Sequence, residues 1–272
     1  MTEPQSSGTT LRTLTRGLEV LETIAAADGT MTAKAIARTL DLNLGTCYHI
    51  LKTLQQDEFV IRLRNGAYVV GARAARLSKT VNLHTRPEPA LSALLVGLNQ
   101  KTRETVYISG WYHGVVTLQE WIAGSHILSV GNLDVGYSGY LHTRASCKAI
   151  LAHLPSTRVE AMLPPESFVP VTPNSITDFD AFAQELVTVK KNGFAVDNEE
   201  FEIGVSCIAA PFFDEYRNPV GAFAVSAPTT RFAKEMHVLA IHVRDAADRA
   251  TAYLRTEATG ATVTPLDNHR LA

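Results

Sequence analysis

The sequence predicts an α+β fold in which a small helical N-terminal part precedes a larger part that mixes helices and strands. Two observations support this expectation. Before residue 72, three short helical patterns are followed by two strand-like runs joined at Asn65-Gly66, a strong hairpin signal. Beyond residue 87, runs typical of strands alternate with helical patterns. A length of 272 residues leaves room for two modest domains, at roughly 100–200 residues each.

Apolar spacing and stop signals define the N-terminal helices. From Leu11 onward, apolar residues recur at helical spacing as far as Ala25, and Asp28-Gly29 ends this first helix. Thr32 is placed to cap a short second helix. After an interruption at 41–45, a third helix is expected to begin at Thr46.

Three short helices and a hairpin within residues 11–71 predict a winged helix-turn-helix. In such a unit the third helix enters the major groove of DNA and the hairpin forms the wing. Arg62 and Arg64 are two residues apart on the wing, so both should face the same way, toward a phosphate or the minor groove. The alternative is a small helical core whose arginines are solvated and which binds protein.

The rest of the chain divides at Pro87 and Pro89, which end a linker helix expected at 72–86. Residues 87–254 should form the second domain, and residues 1–10 and 255–272 should be tails, the first of them disordered. Helices are predicted at about 89–101, 145–154, 156–163, 178–191 and 230–254. Strands are predicted at 104–111, 114–121, 126–130, 207–214 and 219–227.

Composition and charge restrict the class of protein. The net charge is −2, but residues 1–85 hold ten basic and seven acidic side chains, whereas the remainder holds 15 and 20. A mildly basic N-terminal part can contact phosphate and an acidic body cannot. The sequence shows neither a membrane-length apolar run nor a signal-peptide pattern, and its three cysteines are too few for a disulfide framework. We therefore expect a cytoplasmic protein.

Enzyme signatures are absent from the sequence. The stretch GYSGY at 136–140 has the wrong spacing for a nucleophile elbow, and no phosphate-binding glycine motif occurs. His237 and His242 are five residues apart on a predicted helix and do not share a face, and no C-x-x-C pair exists. We expect no catalytic residues, no metal and no cofactor.

Five stretches together resemble the IclR family of bacterial transcription regulators. They are TRGLEVLETIA at 15–25, MTAKAIARTLDLNLGTCYHILKTL at 31–54, AYVVG at 67–71, YLHTRASCKAILAHL at 140–154 and KNGFAVDNEEFEIGVSCIAAPFFDEYRNPVGAFAVSAPTTRF at 191–232. The last stretch is the most specific, and the similarity covers about residues 11–254. The resemblance implies a winged helix-turn-helix, a linker helix and a GAF-like effector-binding domain. It also implies a homodimer or homotetramer that binds operator DNA and responds to a small organic effector, often an aromatic or short-chain carboxylic acid.

The resemblance also implies which residues contact DNA, although the recognition helix departs from the family pattern. Leu44, Gly45 and His49 stand where the family usually has Lys, Ser and Arg. The expected DNA contacts are Asn43, Leu44, Gly45, Thr46, Tyr48, His49, Lys52, Arg62 and Arg64. Asn can read adenine and Thr can meet a thymine methyl group. These departures support a second hypothesis, a small-molecule-binding regulator that acts through protein contacts and has lost specific DNA binding.

Eight residues match effector-binding positions of the family. They are Leu128, Ala145, Ser146, Asp197, Val205, Cys207, Ala224 and Ser226. Free N–H groups at the start of the helix at 145 should favour an anion, and Leu128 and Val205 should supply apolar walls. Cys147 replaces a usual Gly and is expected to narrow or reshape the site. Glu199 and Glu200 are interpreted as structural residues that hold a loop over the pocket.

Overall fold

The computed structural model describes residues 11–27, 29–112, 114–131 and 133–258. The tail expected at 1–10 and residues 259–272 of the tail expected at 255–272 lie outside the described residues. The chain divides into two compact units, residues 1–84 and 85–272. None of the helices in the described part combines the length and the apolar character needed to cross a membrane.

The N-terminal unit is a three-helix core with a short hairpin. Its elements are α1 (Arg12–Ala25), α2 (Ala33–Thr39), α3 (Leu44–Gln56), β1 (Val60–Arg62) and β2 (Tyr68–Val70), followed by α4 (Ala72–Thr85). The two strands are antiparallel, with Val60 opposite Val70. Ile24, Ile36 and Leu51 belong to one buried cluster, so that the three helices and the hairpin share a single core.

Side-chain caps set the helix starts in this unit. Thr32 caps α2 by accepting the Ala35 N–H, as predicted. Helix α3 begins at Leu44, two residues before the predicted start, because the Asn43 carboxamide oxygen accepts the Gly45 N–H at 2.8 Å and caps the helix there.

The hairpin turn differs from the prediction in one respect. Gly66 adopts a φ of +82° and donates its N–H to the Leu63 carbonyl at 3.0 Å, so the turn spans residues 63–66. Arg64 therefore lies in the turn and not on strand β1. The prediction that Arg62 and Arg64 share a strand face is wrong, because the alternation of a strand does not extend into a turn.

The C-terminal unit places helices on both faces of a five-stranded antiparallel sheet with the strand order β4-β3-β7-β6-β5. Its helices are α5 (Pro89–Thr102), α6 (Ala145–Leu151), α7 (Ser156–Met162), α8 (Phe179–Asn192) and α9 (Thr229–Ala258), with a 3₁₀ turn at Pro165–Ser167. Its strands are β3 (Thr105–Tyr112), β4 (Val115–Ile122), β5 (Ala195–Asn198), β6 (Val205–Phe213) and β7 (Pro219–Pro228).

Alternating side chains of the central strands give this unit two cores. Ala209 belongs to a cluster with residues of α6, α7 and α8, whereas Ile208 belongs to a cluster with residues of α5 and α9. Successive strand residues point to opposite faces, so one strand contributes to both layers. The mixed α/β fold class predicted from the sequence is confirmed.

The elements of this unit differ from the predictions most clearly in three places. Residues 126–130 form no strand: Ile127 is fully exposed, and the segment is held by Thr105, whose hydroxyl donates to the Val130 carbonyl, and by Arg231, which donates to the Leu128 carbonyl. Strand β5 was missed. Helix α9 extends to Ala258, so the first residues of the expected C-terminal tail are helical.

Candidate functional site

The residues expected to contact DNA are all exposed in the N-terminal unit. They are Asn43, Leu44, Gly45, Thr46, Tyr48, His49, Lys52, Arg62 and Arg64. Helix α3 carries six of them, on the side away from the buried Cys47, Ile50 and Leu51, and Asn43 is its N-cap residue. The salt bridges of the described residues do not include Lys52, Arg62 or Arg64. These three cations are therefore available to an anionic partner.

Two of these residues also border an apolar groove. The groove lies between α1 and α3, has a volume of about 810 Å³, and includes Thr46 and His49. Its α1 side carries Leu14 and Leu18, which are 61% and 53% exposed. Helix α1 thus presents half of its predicted apolar stripe to the surface instead of the core.

A second cavity, of about 400 Å³, lies within the C-terminal unit. Four residues expected at the effector site line it, namely Asp197, Val205, Cys207 and Ser226. The other four do not line it, namely Leu128, Ala145, Ser146 and Ala224. The structure therefore gathers half of the expected set in one place.

The solvent exposure of each side chain shows where the four expected residues that do not line the cavity lie. The Leu128 side chain is 68% exposed and does not line the cavity. Ala145 of α6 and Ala224 of β7 are fully buried in one core cluster, and the Ser146 hydroxyl is buried at 3.0 Å from that of Ser109. Cys147 is buried in the same core and does not narrow the cavity.

The anion site expected at the N-terminus of α6 is also not formed as predicted. This helix has only seven residues, and the cavity reaches it at its N-cap residue, Arg144, and not at its first turn. At the start of α6 the residue that lines the cavity is therefore Arg144, whereas the sequence predicted an anion site formed by backbone N–H groups.

A buried polar cluster forms one wall of the cavity. Cys207 Sγ lies 2.8 Å from Ser226 Oγ, on paired positions of β6 and β7. Asp197 Oδ1 accepts the N–H groups of Glu200 at 2.7 Å and Phe201 at 3.3 Å. Burial raises the pKa of Asp197 to about 7, and those backbone hydrogen bonds oppose the shift. Burial and the nearby Asp197 raise the pKa of the Cys207 thiol, so it stays neutral.

Aromatic side chains and one arginine were missed by the sequence analysis. Tyr107, Tyr137 and Phe201 line the cavity, with the Tyr137 and Phe201 rings 5.8 Å apart in an edge arrangement. Arg144 Nη1 donates to the Gly139 carbonyl at 3.1 Å, and the guanidinium lies 5.0 Å from the centre of the Tyr137 ring. The sequence offered one signal for Arg144, which is a basic residue directly before a predicted helix. The prediction instead used the two positions that follow it, Ala145 and Ser146.

A buried ion pair holds the loop that carries Asp197. Lys148 is fully buried, with its Nζ 2.5 Å from Glu200 Oε1 and 3.5 Å from Glu185 Oε1. The hydroxyl of Ser175 donates to the Glu200 carbonyl at 2.8 Å. These contacts fix residues 197–202 beside the cavity. The structural role expected for Glu200 agrees with its contacts.

Among the described residues, no cluster of His, Cys, Asp and Glu could hold a metal ion.

Two family models match the chain. The bacterial transcriptional regulator IclR C-terminal model matches residues 79–252, and the IclR helix-turn-helix domain matches residues 13–63. The transcriptional repressor IclR of Escherichia coli K12 is 26% identical over 229 residues, which is 83% of either chain. The regulator BhcR of Paracoccus denitrificans is 30% identical, with 82% of this chain and 80% of BhcR covered.

Solved structures show the same fold. The crystal structure of Thermotoga maritima IclR matches with a TM-score of 0.68 at 26% identity, covering 90% of this chain and 100% of that one. An IclR homologue from Microbacterium hydrocarbonoxydans, crystallised with 4-hydroxybenzoate, matches with a TM-score of 0.71. That chain is 23% identical, with 90% of this chain and 99% of its own covered.

Proposed function

The chain belongs to the IclR family and is a DNA-binding transcriptional regulator, and from this premise we propose that a small organic acid binds the C-terminal cavity and changes operator affinity. The observation that carries the proposal is the 400 Å³ cavity in a unit separate from the exposed face of α3. Pockets of this size, mostly apolar with a few polar groups, are typical small-molecule sites.

The cavity lining supports an organic acid as the effector. Leu118, Leu133 and Val205 supply apolar surface, whereas Asp197 and Ser226 supply polar groups at one wall. An aromatic or short-chain acid needs both kinds of surface, and the Microbacterium homologue was crystallised with an aromatic acid. The effector can change operator affinity only by as much as its affinities for the two conformations differ.

The expected partners are double-stranded operator DNA and further copies of this chain. In a homodimer or homotetramer, two recognition helices would meet successive major-groove half-sites about 34–36 Å apart. The exposed Leu11, Leu14 and Leu18 of the N-terminal unit support a contact with a second copy, since exposed apolar stripes usually mark interaction surfaces. Light scattering of the purified protein measures this directly, and a monomer at all concentrations would contradict it.

The function is tested by binding of the full-length protein to its own upstream DNA, with random-sequence DNA as the competitor. The assay is run at two salt concentrations, with and without a panel of aromatic and short-chain acids. Specific affinity that falls steeply with salt and shifts with one acid would support the proposal. Equal affinity for both DNAs under every condition would contradict it and favour the hypothesis of regulation through protein contacts.

Arg62→Ala is expected to weaken binding to operator and random DNA alike. Arg62 is exposed on β1 and has no salt bridge among the described residues, so we expect it to contact a phosphate. Loss of one phosphate contact should reduce the slope of log affinity against log salt by about 1. Arg249→Ala, an exposed arginine on α9, serves as the control. An unchanged slope for Arg62→Ala would place the wing away from DNA.

Ser226→Ala is expected to weaken effector binding about fivefold, the effect of losing one neutral hydrogen bond. Its hydroxyl lines the cavity and lies next to the Cys207 thiol. The matched control is Ser206→Ala, because Ser206 is equally buried on the neighbouring strand but does not line the cavity. Calorimetric titration with the acid identified above measures both. Equal effects of the two substitutions would count against the assignment of this cavity.

A further inference from the structure

Arg144 is the one basic residue among the described residues that line the cavity. Its side chain is 94% buried, since only 6% of the residue is exposed. Nη1 donates to the Gly139 carbonyl, but Nη2 is buried and has no hydrogen-bond partner among the described residues. The guanidinium also has no carboxylate within salt-bridge distance in the described part of the chain.

A buried guanidinium that lacks a counter-ion is costly, because its charge and N–H groups have left water without full compensation. Buried polar groups are nearly always paired, so an unpaired one beside a cavity indicates a partner that binds there. A carboxylate suits this position because guanidinium and carboxylate form short charge-assisted hydrogen bonds. Asp197 does not fill this role, because the salt bridges of the described residues include none between it and Arg144.

Two of the three acidic residues that line the cavity are exposed, unlike Arg144. Asp134 and Glu202 line the cavity but are exposed, so they lie on its solvent side. Asp197 is buried in the lining as Arg144 is, but burial raises its pKa to about 7 and favours its neutral form, so it does not neutralise the guanidinium. The exposed side of the lining is therefore acidic, and the buried side carries the arginine. A second carboxylate near the opening would be repelled by the two exposed acidic side chains. Leu118, Leu133 and other apolar side chains also line the cavity and suit a hydrocarbon body.

We propose that Arg144 determines the specificity of the cavity by binding the single carboxylate of an apolar or aromatic monocarboxylic acid. The hydrocarbon body lies along the apolar wall, and dicarboxylic acids are excluded by the acidic residues at the opening. The inference rests on the proposed function and deepens it, because it assigns the effector class to one side chain that the resemblance did not single out.

The test is calorimetric titration of the full-length protein with four acids and their neutral amides. The acids are benzoate, 4-hydroxybenzoate, phenylacetate and hexanoate, and terephthalate serves as the dicarboxylate. We expect at least one monocarboxylate to bind about tenfold or more tightly than its amide, the range for a charge-assisted hydrogen bond. We expect terephthalate to bind more weakly than benzoate.

Arg144→Gln should remove the preference for the acid over the amide while leaving amide binding little changed. Arg158→Gln, at an exposed arginine outside the cavity, should leave the preference intact. If Arg144→Gln does not fold, the acid-to-amide ratio and the terephthalate comparison in the unaltered protein still decide the matter. A ratio near one, or tighter binding of terephthalate, would overturn the inference.

The outcomes separate this inference from the proposed function. If an acid shifts operator affinity but Arg144→Gln binds it unchanged, the inference fails and the proposed function stands. If no acid or amide binds and none shifts operator affinity, both fail.

Discussion

Lys148→Met is expected to destabilise the C-terminal unit by about 3–5 kcal/mol at neutral pH, the usual cost of removing one partner of a buried ion pair. Lys148 is fully buried and its Nζ contacts Glu200 at 2.5 Å and Glu185 at 3.5 Å. Methionine fills a similar volume but leaves the Glu200 carboxylate, itself 8% exposed, without its cation. The cost therefore arises from the uncompensated charge and not from a cavity.

Urea unfolding followed by tryptophan fluorescence measures this effect, because both tryptophans of the chain, Trp111 and Trp121, belong to strands of the C-terminal unit. Lys190→Met is the matched control, since Lys190 is exposed on α8 and should change the unfolding free energy by no more than about 0.5 kcal/mol. An effect of Lys148→Met that is as small as that of the control would contradict the prediction.

A double variant identifies the source of the effect. Adding Glu200→Gln to Lys148→Met removes the uncompensated carboxylate, so the pair of substitutions should cost less than the sum of the two single ones. Burial already raises the pKa of Glu200, and loss of Lys148 removes the main influence that lowers it. The Lys148→Met variant should therefore recover part of its stability as the pH falls and Glu200 is protonated. Additive effects at every pH would show that the two side chains do not interact.

Local signals explain why most elements were predictable. The Asn65-Gly66 hairpin, the Thr32 cap and the end of α8 at Gly193, which has a φ of +74°, depend on residues within a few positions of one another. The segment at 126–130 has the residue types of a strand, but a strand also needs a neighbour to pair with. That neighbour is a property of the whole sheet. Strand β3 already pairs with β4 and β7, and at the outer edge of β4 the Leu118 backbone bonds to Gly136 and Tyr137.

The lining of the cavity likewise could not be predicted fully from local sequence signals. Ser226 and Ala224 are two residues apart on β7, so they share a face, which the sequence pattern can predict. Only Ser226 lines the cavity, because α6 covers the sheet above Ala224. Arg144 was missed for a related reason: its importance comes from an unpaired Nη2, and pairing is visible only in three dimensions.

Asp197→Asn is expected to stabilise the protein at alkaline pH and to have little effect near pH 4. Burial raises the pKa of Asp197 from 3.8 to about 7. Between these two values the folded chain retains a proton that the unfolded chain releases, so folding stability falls as the pH rises through this window. At about 1.36 kcal/mol per unit of pKa, the full loss above pH 7 is roughly 4 kcal/mol.

Asparagine isolates this effect because it keeps the shape and the Oδ1 atom that accepts the N–H groups of Glu200 and Phe201, but it does not ionise. Glu200, Lys148, Tyr107 and Cys207 surround Asp197 in both proteins, so the difference between the two unfolding free energies reports on Asp197. Asp248→Asn, at an exposed position on α9, is the control. We expect the curves of the Asp197→Asn variant and the unaltered protein to meet near pH 4 and to diverge until about pH 8. Parallel curves would mean that Asp197 is ionised throughout, and the cavity would then carry a fixed negative charge at the wall where we place the effector.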